Sequence, residues 1–169
     1  MIKKVLFLIF ISHLFINPTY SDVTKKTIWN NGKGDIRHLK AKNSNYKKGK
    51  DALKRAEKYY KKGKLNKAKQ RFDASIKFFT LANNEYPQDP DILNYLGYSL
   101  KKVDDFIMAE IYYTNGLEID PKHIGINRNL GQLYVEINRM DKAKERLIVL
   151  DNCSCIEFEE LRSLIQKIN

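Results

Sequence analysis

The residues that could carry chemistry in this chain are few, and two of them lie close together near its C-terminal end. Cys153 and Cys155 are the two cysteines, and a single residue, Ser154, separates them. An oxidising compartment would favour a disulfide between them, although one intervening residue makes a tight ring. Metal binding needs more ligands than these thiols with His38 and His123 provide. A local disulfide, free or intermolecular thiols, and redox catalysis are therefore the alternatives.

Motifs typical of enzymes do not occur in the sequence. It contains no Cys-x-x-Cys, glycine-rich phosphate loop, His-Glu-x-x-His or Ser-centred elbow. His123 follows Asp120 and Pro121 in a turn, where we expect it to be exposed. The acidic pairs 104–105 and 159–160 fit helix starts, where carboxylates face a positive dipole end. The sequence thus predicts a non-enzymatic protein with no cofactor and no bound metal.

The first 21 residues are typical of a secretory signal peptide. Lys3 and Lys4 supply the positive start, and residues 5–16 are mostly apolar. The segment ends with small residues, Thr19 and Ser21, at the two positions that a signal peptidase reads. The apolar run is too short to cross a hydrocarbon layer of about 30 Å comfortably, so a retained anchor is the weaker alternative. We therefore expect cleavage after Ser21 and export, most simply to a bacterial periplasm.

Residues 22–44 are polar and unpatterned and predict a flexible, basic lead-in. Beyond it the sequence repeats with a period of 34 residues, which indicates a stack of similar units. In this register the apolar and small positions of one unit fall on those of the next. The matched pairs are Leu96 with Leu130, Gly97 with Gly131, Leu100 with Tyr134, Ala109 with Ala143 and Tyr113 with Leu147.

Spacing within one unit predicts two helices joined by a short turn. Apolar residues recur every three or four positions from Leu93 to Val103, and Asp104-Asp105 supplies a turn and an N-cap for a second helix. That second helix carries Ile107, Ile111 and Leu117 beside small residues at Ala109 and Gly116, and Asp120-Pro121 ends it.

Gly97 and Gly131 fall in the middle of predicted first helices, where glycine costs roughly 1 kcal/mol relative to alanine. A glycine at such a position indicates that another helix approaches too closely for a Cβ. We therefore expect a close helix crossing at each of these two residues.

This pattern resembles the tetratricopeptide repeat (TPR). The resemblance implies an all-α stack of helical hairpins over residues 45–169, with repeats at about 49–89, 90–123 and 124–157 and a capping helix over 156–168. The first repeat departs from the pattern, because Phe79 and Ala82 repeat the positions of Phe72 and Ser75 seven residues later. Seven residues are two helical turns, which predicts a long second helix from about Asn66 to Tyr86.

The resemblance also implies a groove lined by the first helix of each unit, where TPR partners usually bind. Its candidate residues here are Asn94, Tyr95, Tyr98, Lys102, Arg128, Asn129 and Gln132. Packing of Tyr95 and Tyr98 against the neighbouring unit is the alternative for those two residues. One TPR subtype grips a terminal carboxylate with Lys and Asn, and the matching positions here lack that set. They are Leu53, Glu57, Tyr95, Gly125 and Asn129.

Small exported bacterial TPR proteins often carry a cysteine pair before a last helix that opens Cys-Glu-Glu-aromatic. The segment from Cys155 to Phe158 is similar. By resemblance, Cys153 and Cys155 correspond to that bridge, although the pair is more closely spaced in this chain than in the family.

Charge is distributed unevenly along the chain. Residues 22–71 contain 18 Lys and Arg against 4 Asp and Glu, whereas residues 72–169 contain 11 against 16. Export and the absence of a base-reading motif argue against nucleic acid as a partner. The sequence therefore predicts an exported adaptor or scaffold that binds a protein or peptide. The alternative is a module held electrostatically to an anionic membrane or envelope polymer by its Lys-rich N-terminal half.

Overall fold

The computed structural model describes residues 44–168, and these form three helical hairpins followed by a last helix. The expected signal peptide and most of the expected lead-in lie outside the described residues. The helices are α1 (Ser44–Lys61), α2 (Leu65–Glu85), α3 (Pro90–Lys101), α4 (Phe106–Ile119), α5 (Ile124–Glu136), α6 (Met140–Leu150) and α7 (Ile156–Ile168). The expected all-α hairpin stack with a capping helix is confirmed.

The first hairpin contains the long second helix expected from the seven-residue insertion. Helix α2 has 21 residues, whereas α4 has 14 and α6 has 11. Phe72, Ser75, Phe79 and Ala82 are all buried on one face of α2. The added two turns therefore lengthen the helix without rotating its apolar stripe away from its neighbours.

Glycines on the first helices allow side chains of other helices to approach the backbone, as expected. A Cβ on Gly97 would lie 2.6 Å from Cε1 of Tyr113 on α4. One on Gly131 would lie 2.5 Å from Cδ2 of Leu161 on α7. Both distances are well below van der Waals contact, so a side chain at either position would force its neighbour to shift.

Capping residues fix where the helices begin. The Asp105 carboxylate accepts a hydrogen bond from Met108 N at 3.1 Å and starts α4, and Asp104 adopts the turn with φ of 66°. Asp89 caps α3 by accepting from Asp91 N at 3.0 Å. Both caps satisfy amides that have no partner inside the helix.

His123 is not exposed, contrary to expectation. Its Nδ1 accepts a hydrogen bond from Ile126 N at 3.1 Å, so the imidazole is the N-cap of α5. Its Nε2 lies 3.0 Å from Oδ1 of Asp91 on α3. The contact between His123 and Asp91 therefore connects the turn after Asp120-Pro121 to helix α3.

Helix α4 buries only part of its apolar surface. Ala109, Tyr113 and Gly116 are buried, but Ile107 is 76% exposed and Ile111 is 43% exposed. The small residues define the packed side, because they allow close approach of α3 and α5. Ile107 and Ile111 face outward despite their apolar character.

Helix α7 covers the end of the stack. Leu161 and Ile165 are buried in the same core cluster as Leu130 and Leu133 of α5. Apolar residues of the third hairpin therefore pack against α7, as the last repeat of a stack requires. Within the described residues, no helix combines the length and apolar character needed to cross a membrane.

Candidate functional site

The first helices of successive units are joined by polar contacts. The Tyr98 hydroxyl on α3 donates to Oε1 of Glu57 on α1 at 2.5 Å. Nδ2 of Asn129 on α5 donates to Oδ1 of Asn94 on α3 at 2.8 Å. We call the surface carrying Asn94, Tyr95, Tyr98, Arg128 and Gln132 the inner face. These five side chains are half-buried.

Tyr95 packs against the preceding hairpin. Its ring stacks on Phe79 of α2, with a centroid distance of 4.9 Å and an interplanar angle of 10°. Tyr46 of α1 meets the Tyr95 ring edge-on at 6.0 Å. The packing alternative therefore describes Tyr95, and the residue still presents part of its surface to solvent.

Tyr98, like Tyr95, contacts the preceding hairpin and remains partly accessible to solvent. Burial, together with the hydrogen bond to Glu57 and the charge of that carboxylate, raises the pKa of Tyr98 well above its usual range. The phenol therefore keeps its proton at alkaline pH where a free tyrosine would ionise, and its hydrogen bond connects α3 to α1 while part of the residue remains accessible.

Asn129 does not occupy the expected outward position. It is only 3% exposed, because its amide reaches back to Asn94 rather than into the groove. Its Oδ1 is buried without a hydrogen-bond partner among the described residues. Asn129 therefore connects α5 to α3 through its hydrogen bond to Asn94.

The remaining groove candidates are held less tightly. Lys102 places its ammonium 4.6 Å from the ring centroid of Tyr60 and 5.4 Å from that of Tyr98. Arg128 pairs with Glu160 of α7 at 3.1 Å, and Gln132 is half-buried. These charged and polar ends can exchange their present contacts for those of a ligand.

Between the first two hairpins lies a cavity of about 430 Å³, which we call the lysine cleft. Its lysines are Lys69, Lys101 and Lys102, and its carboxylates are Asp104 and Glu136. Apolar and aromatic groups, including those of Tyr60, Leu65, Phe72 and Val103, complete the lining.

Lys101 is a candidate site residue that the sequence analysis missed. It is only 6% exposed, and its ammonium lies 2.8 Å from Oε1 of Glu136 on α5. Burial lowers the pKa of Lys101, and Glu136 opposes that shift. The repeat register holds a signal for it, because Lys101 falls on Val135, a buried position of the next unit.

Basic residues cover the first hairpin. The segment 47–71 contains 12 Lys and Arg against Asp51 and Glu57, and every one of the 12 is exposed. Of these 12 residues, Lys69 lines the lysine cleft. The positive character expected from the sequence is therefore concentrated on an accessible surface.

The cysteines lie away from this surface, between α6 and α7. Cys153 and Cys155 are joined by a disulfide, with Cα atoms 5.1 Å apart. Within residues 44–168, no group of three or more His, Cys, Asp or Glu side chains is arranged to hold a metal.

No family model and no curated protein matches the chain. Among solved structures, the first TPR domain of Spaghetti (RPAP3), bound to an HSP90 peptide, is similar with a TM-score of 0.52 and 19% identity. That match covers 72% of this chain and 94% of that domain. The chain therefore has the TPR fold.

Two further TPR domains match with a TM-score of 0.48. The domain of Arabidopsis OM64 is 16% identical, with 74% of this chain and 99% of that chain covered. The TPR2B domain of yeast Sti1, in a complex with pHsp70, is 18% identical, with 72% and 98% covered.

Proposed function

We propose that this chain, which has the TPR fold, is an exported, non-enzymatic adaptor that binds a protein or peptide on its inner face. The observation that carries this proposal is the set of contacts that Tyr95 and Tyr98 make with the preceding hairpin. They fix Tyr95 and Tyr98 in place while leaving part of each ring accessible. Side chains that are ordered before binding lose less conformational entropy when a partner arrives.

The Spaghetti domain supports the proposal, because that domain is bound to a peptide. The positions matching the carboxylate-gripping set in this chain include Leu53, Glu57 and Gly125 in place of Lys and Asn. Leu53 is partly buried and packs against the core, and Glu57 accepts a hydrogen bond from Tyr98. We therefore propose a partner recognised along the inner face by aromatic and amide groups, rather than by capture of a terminal carboxylate.

The test begins with capture of partners from an envelope extract by the mature chain. Affinity for a captured partner is then measured for Tyr98→Ala, Arg128→Ala and Gln132→Ala, with Lys144→Ala on α6 as the control. Loss of a central aromatic contact typically costs about 2 kcal/mol or more, and a peripheral charge costs less. Asn129 is unsuitable for this test because it is buried.

We expect a large loss for Tyr98→Ala, smaller losses for Arg128→Ala and Gln132→Ala, and almost none for Lys144→Ala. Melting temperatures of the free variants separate lost contacts from lost stability. Four equal, small effects in folded variants would refute binding at the inner face.

A second candidate function is electrostatic attachment to an anionic membrane or envelope polymer. The observation that favours it is the exposure of all 12 basic residues of segment 47–71. Attraction between exposed charges is screened within about 6 Å at roughly 0.3 M salt. Retention on anionic vesicles that disappears at that salt concentration would support attachment, and retention that persists would contradict it.

A further inference from the structure

The lysine cleft offers positive charge in a recessed position. Lys101 lies at its buried side, whereas Lys69 is exposed and Lys102 is half-buried. These three lysines line the cavity together with two acidic residues, Asp104 and Glu136. Lys62 and Lys64 are exposed in the turn that precedes the lining residue Leu65, and their charges add positive potential that attracts an anion.

The two partners of the ion pair inside the cleft, Lys101 and Glu136, differ in their exposure to solvent. The side chain of Lys101 is 5% exposed, but that of its partner Glu136 is 44% exposed. A buried ammonium requires a counter-charge, and another carboxylate can supply it if Glu136 rotates into solvent. Glu136 thus occupies the position that an incoming acidic group would take.

The shape of the cleft favours a side chain over a flat surface. Tyr60, Phe72 and Val103 provide apolar walls that fit the methylene groups of an acidic residue. Lys102 also contacts Tyr98 of the inner face, so the cleft adjoins the surface proposed to bind a partner. An extended polypeptide on the inner face can place a side chain in the cleft, whereas a bilayer surface cannot reach the buried Lys101.

We propose that the lysine cleft binds an acidic side chain of a polypeptide partner through Lys69, Lys101 and Lys102. This inference rests on the proposed adaptor function, and it specifies the chemistry of the partner: an extended segment with at least one Glu or Asp beside the residues that contact Tyr95 and Tyr98. The ligand carboxylate would replace Glu136 as the counter-charge of Lys101.

The test measures binding of a fluorescent oligoglutamate peptide to the full chain at low salt, with oligoglutamine of equal length as the neutral control. The double variant Lys69→Ala/Lys102→Ala removes two cleft charges. The matched variant Lys47→Ala/Lys54→Ala removes two exposed charges of α1 that do not line the cleft. The two double variants carry the same net charge, so a difference between their affinities depends on where the removed lysines lie.

We expect the cleft double variant to lower affinity about tenfold or more, since charge-assisted hydrogen bonds are lost. The α1 double variant should lower affinity less than about threefold, as expected for exposed, screened charges. Glu136→Gln should raise affinity, roughly threefold, because a competing carboxylate is gone. Melting curves confirm that each variant is folded.

Equal losses in the two double variants would overturn the inference, because they would indicate diffuse charge attraction. Tighter binding to phosphatidylglycerol vesicles than to oligoglutamate, with the same dependence on Lys69 and Lys102, would assign the cleft to lipid and also overturn it. If a captured partner depends on Arg128 and Gln132 but not on Lys69 and Lys102, the cleft inference fails and the adaptor function stands.

Discussion

The ring of Tyr113 occupies the place that a side chain at position 97 would need. Its Cε1, Cδ1 and Cζ atoms lie between 2.6 and 2.9 Å from an ideal Cβ built on Gly97. Tyr113 is fully buried, so its ring cannot move aside without displacing other core residues. The contact fixes the separation of α3 and α4 within the second hairpin.

Gly97→Ala should therefore destabilise the protein by roughly 1–3 kcal/mol from overpacking, even though alanine favours helix by up to about 1 kcal/mol. Urea unfolding measures the loss. Gly131→Ala is the matched variant and should cost less, because it meets the flexible end of Leu161. A Gly97→Ala variant as stable as the native chain would contradict the assigned crossing.

Stability should fall as pH rises above 10. Burial raises the pKa of Tyr46, Tyr98 and Tyr113, and burial with the Glu110 charge raises that of Tyr134 to about 12. Unfolded tyrosines ionise near pH 10, while the folded ones keep their protons. The stabilisation is thus complete below pH 10 and is lost toward pH 12 and above.

Lys101 acts in the opposite direction, since its lowered pKa makes stability rise with pH up to the pKa of an unfolded lysine. The effect of one lysine on the pH dependence of stability should be smaller than the opposite effect of four tyrosines. Denaturant unfolding at several alkaline pH values tests the sum. Tyr98→Phe should lower stability at neutral pH and give a shallower alkaline decline, and an unchanged slope would contradict the role given to Tyr98.

Export is tested at the apolar run of the N-terminal segment. Replacing Leu8 and Phe10 with Arg interrupts that run and should leave unprocessed protein in the cytoplasm. Leu8→Ile/Phe10→Leu preserves the apolar character and should be exported normally. N-terminal sequencing of the envelope fraction gives the result, and an arginine variant that still begins near Asp22 would refute the signal peptide.

The disulfide should contribute little to stability. A single residue separates Cys153 and Cys155, and a short loop restricts the unfolded chain less than a long one. Cys153→Ser/Cys155→Ser should lose less than about 2 kcal/mol by this loop-closure argument. Mass spectrometry after alkylation without reductant checks the bond in the native protein, and uptake of two alkyl groups would contradict it.

Periodicity predicted the helices and the repeat, and the resemblance to the TPR implied how the hairpins stack. The spacing of Phe72 and Phe79 predicted the long α2, and Gly97 and Gly131 predicted close crossings. These features depend on which residues share a helical face, and a regular backbone determines that from sequence separation alone.

The polar contacts between units could not be predicted in the same way. Asn94 and Asn129 are 35 positions apart, and their bond depends on side-chain rotamers that no periodicity specifies. His123 was expected to be exposed because its neighbours suggested a turn, yet its imidazole serves as a cap. Lys101 was overlooked because a lysine at a helix end ordinarily reaches solvent.

The side-chain position of Gly131 is occupied by a residue of a different helix from the one that occupies the side-chain position of Gly97. In the second hairpin, Tyr113 of the same hairpin occupies the position at Gly97. The matching residue of the third hairpin is Leu147, and Leu161 of α7 takes the place instead. We therefore expect α5, α6 and α7 to unfold together, so a chain shortened to end before Ile156 should lose ordered structure back to α5.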